Sequence, residues 1–139
     1  MDTPALVLYN SDMLIRDLDC RVSAVLHTRC APDWCWTVWD RPMPDFDLWN
    51  VMAGRGQFEG EGFAFSVQTG SAVLLRPGDR FRATHDPDRP LEVISAHFDF
   101  LTPRGRKVTP AAADLEPRVH AVRELPFYRE LLERLRRSG

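Results

Sequence analysis

The apolar positions of this chain fall into short runs separated by turn residues, which is a strand pattern. Between residues 24 and 100 these runs predict strands at 34–39, 46–52, 57–59, 63–67, 71–76, 80–85 and 91–100. The breaks carry the right chemistry. Ala53-Gly54-Arg55-Gly56, Gly60-Glu61-Gly62, Gln68-Thr69-Gly70, Pro77-Gly78-Asp79 and Asp86-Pro87-Asp88 all supply residues that reverse a backbone. In Pro77-Gly78, proline presets the first central torsion of a turn, and glycine tolerates the positive φ that a type II turn needs at the second. Nothing in this stretch has a helical period, so a sandwich or barrel is expected.

The texture changes after Phe100. Residues 102–117 are rich in Pro, Ala, Gly and Arg and read as a connector. Residues 127–137 then turn helical, with Phe127, Leu131, Leu132 and Leu135 spaced as one apolar face. Glu130 with Arg134, and Glu133 with Arg137, are i,i+4 pairs in the better orientation, and Pro126 suits a first turn. Such a stripe needs a partner surface. The pattern leaves open whether that surface is the barrel of the same chain or a second subunit.

Composition narrows the class. The 139 residues allow one domain with a real core, at 44% hydrophobic and 27% charged. A net charge of -2, with the signs interspersed, argues against a nucleic-acid face, which would have to be basic. No apolar run approaches a membrane span, and the acidic start MDTPALVLYNSD lacks the basic region of a secretion signal. The three cysteines, Cys20, Cys30 and Cys35, have no metal-knuckle spacing and read as reduced thiols. A cytoplasmic protein is expected. All basic residues but Lys107 are arginine, the codon bias of a GC-rich bacterial genome.

Three stretches carry a resemblance. They are RPMPDFDLWNVMAGRG from Arg41 to Gly56, Leu75-Arg76-Pro77-Gly78-Asp79 followed by Ala83-Thr84-His85-Asp86, and Ala96-His97-Phe98. In this order and spacing, residues 24 to 135 resemble the N-terminal ligand-sensing cupin domain of AraC-type transcription regulators. The resemblance implies an all-β fold, a double-stranded β-helix (cupin) barrel with a C-terminal α-helix. It divides the chain into a ligand-binding barrel with an N-terminal arm (1–105) and a connector plus helix (106–139). In the family such helices pair two subunits, so Phe127, Leu131, Leu132 and Leu135 become candidate dimer contacts. A helix-turn-helix domain follows in the family but is absent from this chain, so DNA would be reached only through a domain missing here.

Many cupin enzymes hold a metal with a His-x-His pair, a Glu four residues on, and a His after the Pro-Gly turn. Aligned on the turns, those places are taken here by Arg41, Met43, Asp47 and Phe81. One carboxylate in four positions is not a metal set, so neither metal nor other cofactor is expected. No nucleophile elbow, phosphate loop or triad is evident, so no catalytic residue is assigned.

A binding lining is what these positions suggest. Alternate strand residues share a face, so Arg41, Met43, Asp47 and Trp49 should look inward together, as should Phe81, Ala83 and His85. Trp36 could supply a stacking wall, and His97 joins them from the closing strand. The candidate ligand-binding set is therefore Trp36, Arg41, Met43, Asp47, Trp49, Phe81, His85 and His97. Against it stands a bland reading, in which Arg41 and Asp47 simply pair as a structural bridge and the histidines are structural hydrogen-bonders. The expected function is effector sensing, with a small cupin enzyme (isomerase or dioxygenase) as the alternative and a filled dimerisation module as a third reading.

Overall fold

A computed structural model describes residues 14–138. The N-terminal arm expected at the start of the chain lies outside the described residues. A short 3-10 turn (Ile15–Asp17) leads into ten strands: β1 (Asp19–Arg29), β2 (Cys35–Val38), β3 (Phe46–Ala53), β4 (Arg55–Gly60), β5 (Phe63–Gln68), β6 (Ser71–Leu75), β7 (Phe81–His85), β8 (Glu92–Leu101), β9 (Lys107–Val108) and β10 (Val119–Ala121). A second 3-10 turn (Ala112–Leu115) precedes β10, and helix α1 (Leu125–Ser138) ends the described chain.

The strands form two antiparallel sheets, ordered β1-β8-β3-β6-β10, with β9 on β8, and β2-β7-β4-β5. Between β1 and β8 every connection crosses from one sheet to the other, except the β4–β5 hairpin at the far end. That winding is the jelly roll of cupins, a double-stranded β-helix. The expected fold class is therefore what the chain adopts, with its helix at the C-terminal side.

Burial patterns follow from position in this sandwich. In β5 and β7 the inner residues Val67, Phe81 and Ala83 are buried while their neighbours Gln68 and Arg82 are exposed, the pattern of a sheet with one wet face. β3 lacks the alternation because both of its faces are covered. Its inner residues Trp49 and Val51 join Phe58, Val67, Val73, Leu75 and Phe81 in the main core. On its outer face, Phe46 packs with Phe98, Phe100 and Leu115, and Met52 packs with Ile94 and Leu132. The 3-10 turns and the helix are thus a third layer over the larger sheet.

Residues 102–117, expected as an open connector, are tied into the barrel. β9 pairs with Phe100 and Leu101, and β10 pairs with β6. Arg118 grips Asp79 with two short bonds, 2.7 and 3.0 Å, and its guanidinium lies 4.1 Å from the Phe63 ring centre. Arg76 donates to the Leu115 carbonyl at 2.8 Å and to Glu116 at 3.0 Å. Asp79 belongs to the Pro77-Gly78 turn, whose glycine has φ +88°, and its carboxylate also accepts from the Arg76 N–H at 2.8 Å.

The helix docks on its own barrel by a face offset from the one expected. Of the four candidate dimer residues only Leu132 is buried, packed with half-buried Leu125 and Tyr128 against Met52, Ile94 and Val25. Phe127, Leu131 and Leu135 are exposed, at 62%, 48% and 38%. Two polar anchors set this rotation. The Tyr128 hydroxyl donates to buried Asn50 at 2.6 Å, and Arg129 reaches Glu92 at 3.0 Å. Leu132 sits one turn beyond Tyr128 on the same side, so those anchors turn it inward and leave the other three in water.

Candidate functional site

The two sheets do not close completely along the β1 and β2 edges. There they leave a hollow of about 210 Å³, lined by Leu26, Thr28, Cys30, Trp34, Trp36, Asp47, Trp49, Val93, Ser95 and His97. Period two explains the lining. Leu26, Thr28 and Cys30 alternate along β1 and just past it, Asp47 and Trp49 along β3, and Val93, Ser95 and His97 along β8. Register aligns them, since His97 stands opposite Asp47 and Ser95 opposite Trp49, with Leu26 across from Ser95 on the other side.

Three indoles form the apolar part. Trp49 lies 6.2 Å from both Trp34 and Trp36, at interplanar angles of 20° and 31°. Trp36 rests edge-on against fully buried Phe81 at 5.0 Å, and Trp49 meets Phe58 the same way at 5.1 Å. These are ordinary aromatic geometries, and they hold the walls in place from behind.

The polar part is a chain of three groups. His97 Nδ1 lies 3.1 Å from Asp45, and its Nε2 lies 3.5 Å from Asp47 Oδ2. Asp47 is 1% exposed, and its buried Oδ1 has no hydrogen-bond partner among the described residues. Burial pushes its carboxyl up to about 6, with His97 pulling the other way and Asp45 adding to the rise. Burial likewise raises the Cys30 thiol. Among the described residues no Lys or Arg lines the hollow. Among the described residues no three His, Cys, Asp or Glu side chains converge as a metal set would.

Trp36, Asp47, Trp49 and His97 are thus brought together. Other expectations need correction. Arg41 is exposed, in the loop before β3, and neither lines the hollow nor pairs with Asp47. Pro42 and Pro44 cannot donate to a ladder, so the chain joins the sheet only at Phe46, five residues after Arg41. Met43 is buried in the main core and hydrogen-bonds through its backbone to Gly78 and Asp79, and Phe81 lies behind Trp36; neither reaches the hollow. His85 is a brace. Its Nδ1 accepts from the Leu91 N–H at 3.1 Å, so Nε2 carries the proton and donates to the Pro32 carbonyl at 3.0 Å. Its ring sits 5.3 Å from Trp34 and so steadies a wall of the hollow from outside.

The candidate set drawn from the sequence lacked Leu26, Thr28, Cys30, Trp34, Val93 and Ser95 of the lining, and Asp45 beside it. Alternation in Leu26-His27-Thr28-Arg29-Cys30 and Val93-Ile94-Ser95-Ala96-His97 was the available signal. A wider groove of about 500 Å³ lies on the smaller sheet, between Gln57, Ser66, Thr84, Asp86 and the candidate His85. Its charged groups, Arg55 and Asp86, pair with each other at 3.1 Å, and neither is buried.

No protein-family model matches the sequence, and no curated protein matches it. Solved structures do. A cupin protein from Bacteroides fragilis is 14% identical, with a TM-score of 0.39 over 56% of this chain and 64% of that one, so the chain spans just under two thirds of its length. A Cupin 2 conserved barrel domain protein from Salinispora arenicola is 15% identical, with a TM-score of 0.43 over 76% of this chain and 87% of that one. The cupin-type barrel of this chain is read from its own strand order and crossings.

Proposed function

We propose that this chain is a small-molecule sensor, the effector-binding barrel of an AraC-type transcription regulator. One observation carries the binding reading: a buried carboxylate with an unpartnered oxygen, Asp47, lines a hollow walled by three tryptophans. A buried polar atom without a partner costs stability, and a ligand that completes it recovers that cost. A mostly apolar recess with a few placed polar groups is the usual form of a ligand site. At about 210 Å³ the hollow suits a molecule smaller than a drug. The regulator part rests on the sequence resemblance, and in that family DNA is contacted by a separate helix-turn-helix domain.

A thermal-shift screen of small metabolites tests the binding reading. A ligand present at a hundred times its Kd stabilises the fold by about 2.7 kcal/mol. The shift should shrink in Trp36→Leu and persist in Trp39→Leu, whose indole is exposed and lies off the hollow. A panel that leaves the wild-type Tm unmoved contradicts the reading.

The Asp45–His97–Asp47 chain favours one second reading, a small cupin isomerase, because an imidazole held between carboxylates can carry protons. NMR of any stabilising ligand left with the protein decides this: conversion means an enzyme, and persistence means a sensor.

A further inference from the structure

We infer that the hollow takes a small organic ammonium ion, a compact aliphatic cation bearing at least one N–H. The inference rests on the sensor reading above and specifies the chemistry of its ligand.

Charge comes first. Among the described residues the lining contains one buried carboxylate, Asp47, and no Lys or Arg. The groups facing Asp47 are His97 from β8 and, beyond that ring, Asp45 from the loop before β3. Cys30 and Thr28 bring only neutral polar groups from the β1 side. The single imidazole is shared between two carboxylates, so the cluster is anionic whenever both are ionised, whichever form the imidazole takes. A cation is what such a recess lacks.

Hydrogen bonding comes second. Among the described residues Asp47 Oδ1 is an acceptor without a donor, and it lies just beneath the surface of the hollow. An alcohol could donate to it after a small shift of the lining, but a hydroxyl leaves the buried charge uncompensated. An N⁺–H supplies donor and countercharge together, which makes the stronger, charge-assisted bond.

The walls come third. Indole is the best aromatic face for a cation, and here three indoles stand on the same recess. Size comes last, since the volume equals about seven waters of liquid. That admits an ammonium on a short alkyl chain.

The test uses four probes of similar bulk on the whole chain: isopentylammonium, its neutral isostere isopentanol, the anion isovalerate, and a neutral pentose. Binding is followed by the indole N–H resonances of the four tryptophans. Isopentylammonium should perturb the hollow's three indoles and spare Trp39, and should bind at least about tenfold more tightly than isopentanol. Trp36→Leu should weaken it by about thirtyfold, the size of a desolvated cation–π contact. Asp47→Asn should abolish its advantage over isopentanol; if that variant does not fold, the preference measured in Trp36→Leu serves instead. Should isopentanol, pentose or isovalerate bind these indoles as well as the ammonium does, the cation inference falls and the sensor reading stands. Should no probe move them, the inference falls, and the metabolite screen alone then decides the sensor reading.

Discussion

Replacing Asp47 by asparagine should flatten a pH dependence that this residue builds into the stability of the fold. The carboxyl titrates near 3.8 when free and is pushed up to about 6 in the folded chain, chiefly by burial. The native state therefore binds its proton more tightly than the unfolded chain does. Below pH 3.8 the group is protonated in both states and costs nothing. Above pH 6 it is ionised in both, and the native state bears the full cost of a buried charge. At about 1.4 kcal/mol per tenfold change in affinity, that cost is about 3 kcal/mol, and little is lost to solvent screening because the side chain is 2% exposed. Asparagine cannot ionise and shows no such loss. Urea unfolding of both proteins between pH 4 and pH 7 measures the effect. The wild type should lose about 2 to 2.5 kcal/mol relative to Asp47→Asn over that interval, since the free carboxyl is already about half ionised at pH 4, whatever constant offset the amide introduces. Parallel curves would refute the reasoning, because they would mean that the carboxyl titrates alike in both states.

Other outcomes follow from the packing. Asp79→Ala should destabilise the chain by about 3 kcal/mol in urea melts, because it leaves Arg118 half-buried without its two short bonds. Leu132→Ala should cost about 2–3 kcal/mol, while Leu131→Asp with Leu135→Asp should leave monomer stability within about 0.5 kcal/mol. We propose that the exposed stripe of Phe127, Leu131 and Leu135 joins two copies; sedimentation should then show a weak dimer that this double substitution abolishes, and a wild type that stays monomeric at high micromolar concentration rules it out. Arg41→Ala should change neither stability nor any ligand-induced Tm shift, and a lost shift would return Arg41 to the site.

Local chemistry determined the strands and where they stop. Pro77-Gly78-Asp79, Gly60-Glu61-Gly62 and the aromatic runs around Trp36 and Trp49 obey rules that act within a few residues, so sequence alone exposed them. The period of two also said that Asp47 and Trp49 share a face. It could not say that His97, fifty residues on, stands opposite Asp47, because that depends on the register between β3 and β8. Nor could it place Arg41, whose apparent continuation of the Asp47 face ends at two prolines that hold it out of the ladder. On the helix, spacing marked four apolar residues as one stripe, but a Tyr128–Asn50 bond chose which of them turns inward. The sequence pattern did not show β1, an edge strand with no fully buried residue, nor the two short strands β9 and β10. The inner positions of β1, Leu26 and Thr28, matter only where β1 lies across from β2 and the mouth between them stays open. The hollow belongs to that meeting of strands distant in sequence, and only the closed barrel decides it.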